Sequence, residues 1–202
     1  MGIVLVVVGA WVVVGLGASG AAHFSLTSKA PGAIVVASDL LNAVDVPVQV
    51  TVKRADGGPV VIAAASSPDA RAILGSSAVS TVSAVRYPAG SLDLHASGAG
   101  PLPDITTADI WRLAARGAGS VELTVGQERA PEAVVITSGD SSTLKDVTVS
   151  LTWSDRAWFF EALALATIGA VLAAFAFNDL WQGRVIAVPG EAAAPRTSWV
   201  AR

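Results

Sequence analysis

The sequence predicts a membrane protein in which two transmembrane helices flank a mainly-β extracytoplasmic domain, with a β-sandwich as the form of that domain. Three observations predict it. An uncharged apolar run opens the chain, a second run with aromatic ends lies near its close, and the stretch between them alternates apolar and polar residues. Composition agrees: 52% of the 202 residues are hydrophobic and only 14% are charged, with a mean hydropathy of +0.60. That content excludes intrinsic disorder and is too apolar for an ordinary soluble domain.

The first span is assigned to residues 1–22. From Ile3 to Ala22 twenty residues carry no charge, and as a helix they would reach roughly 30 Å, the thickness of the hydrocarbon layer. A cleaved signal peptide is the competing reading, because Ala18-Ser19-Gly20-Ala21-Ala22 supplies the small residues of a cleavage site. Against it, the run has no basic n-region and exceeds a usual h-region.

The second span is assigned to residues 157–177, with Trp158, Phe159 and Phe160 at one end and Phe175, Phe177 and Trp181 at the other. Aromatic residues at both ends match the belts of a spanning helix. The tail, residues 178–202, carries Arg184, Arg196 and Arg202, so the positive-inside rule places it in the cytoplasm. With two spans the N-terminus is then cytoplasmic too, and residues 23–156 lie outside a cell membrane crossed twice.

Between the spans the best alternation sets Val46, Val48, Val50 and Val52 against Pro47, Gln49, Thr51 and Lys53, one buried face and one wet face. Asp56-Gly57-Gly58 then turns the chain, and Pro59 to Ala64 returns as the second strand of a hairpin. Further strands are expected at Ala33–Ala37, Thr81–Tyr87, Ser91–Ala96, Ser120–Val125, Ala133–Thr137 and Val147–Trp153. Turn residues separate them at Pro88-Ala89-Gly90, Gly98 to Pro103, Gly126 to Glu128 and Ser138 to Ser142. Ser67-Pro68-Asp69 starts a short helix that Gly75 ends, and the stretch from Ala108 to Arg116 fits helix or strand. Eight or so short strands in this length point to a sandwich with a core of its own.

The chain resembles a group of uncharacterised actinobacterial membrane proteins with a span, a β-rich outer domain and a second span. The residues that carry the likeness are Pro59-Val60-Val61-Ile62, Asp69 to Leu74, Ile110-Trp111 and Gly117-Ala118-Gly119. Where that group tends to carry Gly-Ile-Gly-Pro, this chain has Ala63-Ala64-Ala65-Ser66. The resemblance implies an architecture and no activity.

Charge and residue types narrow the function classes. Lys and Arg number 13 against 16 Asp and Glu, with no basic stripe, so nucleic acid is not an expected partner. The chain has no cysteine, which removes disulfides, thiolate chemistry and cysteine metal sites. His23 and His95 are the two histidines. Asp93 shares the strand face of His95, but no nucleophile motif accompanies the pair. No catalytic, cofactor or metal site is assigned, and the chain is read as a non-enzyme.

Three features remain as candidate sites. Glu161 is the one carboxylate inside a span, a functional candidate by position that could instead reach headgroups or Arg156. Ala162, Ala166, Gly169, Ala173 and Ala176 recur at spacings of 4, 3, 4 and 3 along the second helix, a flat seam for close approach of another helix. Its partner is the first span, through Gly2, Gly9 and Gly15 or Gly17, or another membrane protein. Trp111 and Trp153 form a possible ligand platform, or core and anchor residues. The expected function is an interaction or accessory module held at the bilayer, with binding of an envelope glycan or lipid headgroup as the alternative.

Overall fold

The computed structural model describes residues 2–29, 32–129, 132–139, 144 and 146–185. The chain divides into two compact units, one formed by Met1–Val14 with Phe160–Arg202 and the other by Gly15–Phe159.

Among the described residues the first unit consists of the greater part of two helices, whose ends at residues 15–16 and 156–159 belong to the second unit. Helix α1 covers Gly2–Leu16 and helix α4 covers Arg156–Val185. At 15 residues α1 is about 22 Å long, short of a bilayer's hydrocarbon layer, whereas the 30 residues of α4 reach about 45 Å. Among the described residues one helix, over Arg156–Trp181, is long and apolar enough to cross a membrane. The expected first span therefore ends six residues early. Gly17 and Gly20 take φ of +63° and +64°, which breaks the helix, and Ala21 and Ala22 enter a strand. Hydropathy marks this run as apolar; it carries no information that a strand partner waits for its last residues. The second helix extends past the expected 177 to Val185. Residues 186–202, with Arg196 and Arg202, lie outside the described residues.

The second unit is mainly β. Its strands are β1 (Ala21–Ser28), β2 (Ala33–Val36), β3 (Val48–Arg54), β4 (Pro59–Ser66), β5 (Val79–Arg86), β6 (Ser91–Ser97), β7 (Leu113–Ala118), β8 (Ser120–Val125), β9 (Glu132–Thr137) and β10 (Val147–Ser154). Helix α2 (Ser38–Leu41) follows β2, and α3 (Ser67–Leu74) follows β4. All ten strands join one sheet in the order β7-β4-β9-β2-β5-β6-β1-β10-β3-β8. The sheet folds back on itself into a near-barrel, where the sequence reading expected two separate sheets. Among the described residues β6 meets β1 at the bridge Ser25↔Ser91, beside which Ser25 N–H donates to Gly90 O at 2.9 Å, so the pairing between the two halves is narrow here.

The halves close over one core. Val48, Val50 and Val52 of β3 and Val147, Val149 and Leu151 of β10 meet Ile34, Val60, Ile62, Val134 and Ile136 from the other half. Alternation explains which residues go in: β10 buries every second side chain from Val147 to Trp153. On its outer face this half is polar, with Thr27 bonded to Thr148 at 3.0 Å and His23 to Thr152 at 2.9 Å. The other half is covered on both faces. A second cluster of Ala33, Ala70, Leu74, Ile105, Ala133 and Val135 packs α3 and the stretch around Ile105 on its outside. That cover is why β4 and β9 are apolar runs without alternation.

Strands β3 and β4 do not form the expected hairpin. Strand β3 pairs with β10 and β8, and β4 pairs with β7 and β9. The Asp56-Gly57-Gly58 turn is a corner that carries the chain from one half to the other. Gly119, at φ +74°, does the same between β7 and β8. The corners bond to each other, Gly119 N–H to Gly58 O at 3.0 Å and Arg54 N–H to Gly119 O at 2.7 Å, and so close the near-barrel. The stretch left open between helix and strand becomes turns up to Ile110 and then β7.

Candidate functional site

The helical unit is built on close backbone approach. A β-carbon placed on Gly169 would lie 2.7 Å from the Val6 amide nitrogen and 2.8 Å from the Leu5 β-carbon. One on Gly9 would lie 2.8 Å from the Ala166 nitrogen, and one on Gly2 2.6 Å from that of Ala173. Ordinary contact begins near 3.4 Å, so only glycine lets these backbones meet. Ala162 and Gly169 are buried, and Ala166 and Ala173 are half-buried, while the positions between them are exposed. Ala176 is exposed: Gly2 already faces Gly169 and Ala173, so the described part of α1 reaches no further along the seam. Gly15 approaches the Tyr87 hydroxyl instead, and Gly17 has open space around it.

Away from the seam both helices present large apolar side chains. Val14 is 82% exposed, Ile3 71%, Phe175 66% and Trp181 66%. Ile168, Leu163, Val171 and Phe177 are exposed as well. Trp158 departs from the expected aromatic belt, since it packs against the main β core.

The remaining candidates resolve as follows. Glu161 sits on the exposed side of α4 and forms no ion pair with Arg156 among the described residues. Trp153 is 4% exposed and packs edge-on against Phe24, with ring centroids 5.9 Å apart; a ring enclosed in the core cannot serve as a stacking platform. Trp111 is half-buried against the outer cluster and donates its Nε1–H to Ile105 O at 2.6 Å, which fixes the loop beneath it. His23 bonds across the ladder to Thr152. His95 has no bond to Asp93, whose carboxylate pairs with Arg86.

Three polar features were not anticipated. Arg54 is 8% exposed and donates to Pro59 O at 2.9 Å and to Asp56 at 2.8 Å. Its sequence signal was available, because Arg54 continues the buried set Val48, Val50, Val52. The Gly58 amide and the Arg54 guanidinium hold the Asp56 carboxyl below the usual carboxylate range. The other two are cavities on the covered face of the sheet. One, of about 430 Å3, lies between α2, α3 and the sheet, with Asp39, Arg71 and Ser67 among its lining. The other, of about 380 Å3, lies under the Gly100–Thr106 stretch, with Asp104, Thr106, Thr137 and Ser138 in its wall. No group of three or more metal-ligating side chains occurs among the described residues. Comparison of the chain with known protein families, curated proteins and solved structures finds no match.

Proposed function

We propose that this chain is an integral protein of the cell membrane, anchored by α1 and α4, that presents its β unit outside the cytoplasm as a non-enzymatic interaction or accessory module. One observation carries the reading: both helices expose large aliphatic and aromatic side chains on every side except the shared seam. Water penalises such a surface and a bilayer favours it. In lipid the seam also has a reason to exist, since association there relies on close packing of small residues. The described 15 residues of α1, about 22 Å, would be accommodated by a bilayer that thins locally around the helix pair. A further membrane protein has the exposed face of α4 available to it.

Binding of an envelope glycan or headgroup is the second reading. The tryptophans no longer favour it, because one is enclosed and the other braces its own loop. What favours it is the cavity under the Gly100–Thr106 stretch, with the exposed carboxylate of Asp104 in its wall.

Alkaline carbonate extraction of membranes, followed by labelling of Ala89→Cys and Ser198→Cys with an impermeant thiol reagent, tests the first reading. The chain should stay with the membrane, and only the cysteine at 89 should label in intact cells. Release by carbonate overturns the anchorage, and labelling at 198 in intact cells overturns the orientation.

A further inference from the structure

We infer that the cavity between α2, α3 and the sheet binds a zwitterion of amino-acid size, a free α-amino acid or a dipeptide. Its walls come from separate elements. Helix α3 contributes Ser67, Ala70, Arg71 and Leu74, which recur at helical spacing and so share one face. Helix α2 contributes Asp39, and the strands contribute Val35, Val79 and Ala133. The volume of about 430 Å3 falls within the usual range of small-molecule sites.

The walls carry one charge of each sign, Arg71 on α3 and Asp39 on α2. Both residues are exposed, and neither forms an ion pair with the other or with any described residue. Among the described residues Asp39 accepts only from the hydroxyl of its neighbour Ser38, at a long 3.4 Å. The other ionisable groups on the elements that build the cavity are occupied. Asp69 accepts from the Ser66 hydroxyl at 2.6 Å, Asp93 pairs with Arg86, and Glu132 pairs with Arg112. His95 alone stays exposed, across the ladder from Thr81 and on its face.

A ligand of a single charge would satisfy one wall and meet the like charge of the other. A zwitterion satisfies both. Its carboxylate takes the fork of the Arg71 guanidinium, which suits two parallel N–H bonds, and its ammonium donates to Asp39. Between the charges lies apolar surface. Val35 and Val79 are half-buried against the outer cluster that includes Ala70, Leu74 and Ala133, and an apolar side chain laid there would complete their cover.

The inference rests on neither the anchorage nor the glycan reading, so it fails in an experiment of its own. Saturation-transfer NMR on the full chain in dodecyl maltoside micelles is the test, with L-leucine, L-phenylalanine and L-alanyl-L-alanine as probes at millimolar concentration. At least one should receive saturation above the level of protein-free micelles, and which one binds tells the short charge separation of an amino acid from the longer one of a dipeptide. The N-acetylated form of that binder, without its ammonium, and the amide form, without its carboxylate, should each bind about tenfold or more weakly. Asp39→Asn and Arg71→Gln should weaken binding as much, and both variants should melt close to the parent because both sites are exposed. Absence of transfer to all three probes overturns the inference, as does a blocked form that binds like its parent, or binding that either substitution leaves unchanged.

Discussion

Gly169→Leu should destabilise the helical unit. The site is already at contact: even a β-carbon would lie 2.7–2.9 Å from Val6 N, Leu5 Cβ and Gly2 O. Relief to ordinary contact requires the helices to part by roughly 0.7 Å or more, a gap that forfeits a quarter to a half of the dispersion well along the seam. Overpacking of this kind costs about 1–3 kcal/mol. Helix propensity works the other way, by nearly 1 kcal/mol for replacing glycine, so Leu rather than Ala is the decisive substitution. For a chain of this size, each 1 kcal/mol lowers the melting temperature by about 2–4 °C, and the expected drop is therefore several degrees. Thermal melting in dodecyl maltoside micelles reads it. Ala176→Leu is the control, since that residue belongs to the seam by spacing but is exposed, and it should melt with the parent. The reasoning fails if Gly169→Leu melts within about 1 °C of the parent, or if Ala176→Leu falls as far.

Arg54→Leu should cost about 1–3 kcal/mol in a urea titration, because it strands the Pro59 carbonyl at a closed corner; an unchanged midpoint would remove Arg54 as the corner's brace. Asp56 is held below its unfolded value near 3.9, so its stabilising contribution is present above that value and lost as pH falls through the depressed one. Asp56→Asn should accordingly flatten the acid limb of the stability profile below about pH 4 and leave its slope at neutral pH unchanged, as read from urea midpoints across the range. Leu151→Ala, at a site with no exposure in the shared core, should cost about 2–5 kcal/mol and lower the cooperative melting of the β unit; loss of only one half's strands would show that the halves fold separately.

Much of the strand content was legible because it depends on local pattern. Ser120–Val125 matches the structure residue for residue, and Val147–Trp153 and Ser91–Ala96 each differ by one residue at one end. What was not legible was partnership. The Asp56-Gly57-Gly58 turn looks like a hairpin turn, and nothing local says that β3 already has partners on both edges, β10 and β8. The start of strand β1 was hidden for the same reason, because Ala21 and Ala22 are as apolar as a helix end and only pairing with Ser154 and Trp153 makes them strand; the rest, with Phe24 and Leu26 alternating against His23, Ser25 and Thr27, carried a local signal that the sequence reading passed over. The seam illustrates the division. Its spacing marks all five positions, but Ala176 lies beyond the described part of α1 and is exposed. The cavity between α2, α3 and the sheet had no sequence signal, since Asp39 and Arg71 come from separate elements, and their sharing one cavity is visible only once both are placed.

Pairing of the first and last strands bears on how two weakly attracting helices meet. Ala21 lies opposite Ser154, and Asp155 N–H donates to Gly20 O at 3.1 Å. A side chain at Gly20 would collide with the Asp155 carbonyl. The chain positions next to the two helices, well over a hundred residues apart in sequence, are thus fastened together within the β unit. Loop closure for the helix pair is then already achieved by the ladder, and the small-residue contacts need not supply it. That division of labour accounts for a seam with few side-chain atoms: it has to select the geometry of the pair, while the eight-residue ladder between β1 and β10 brings the pair together.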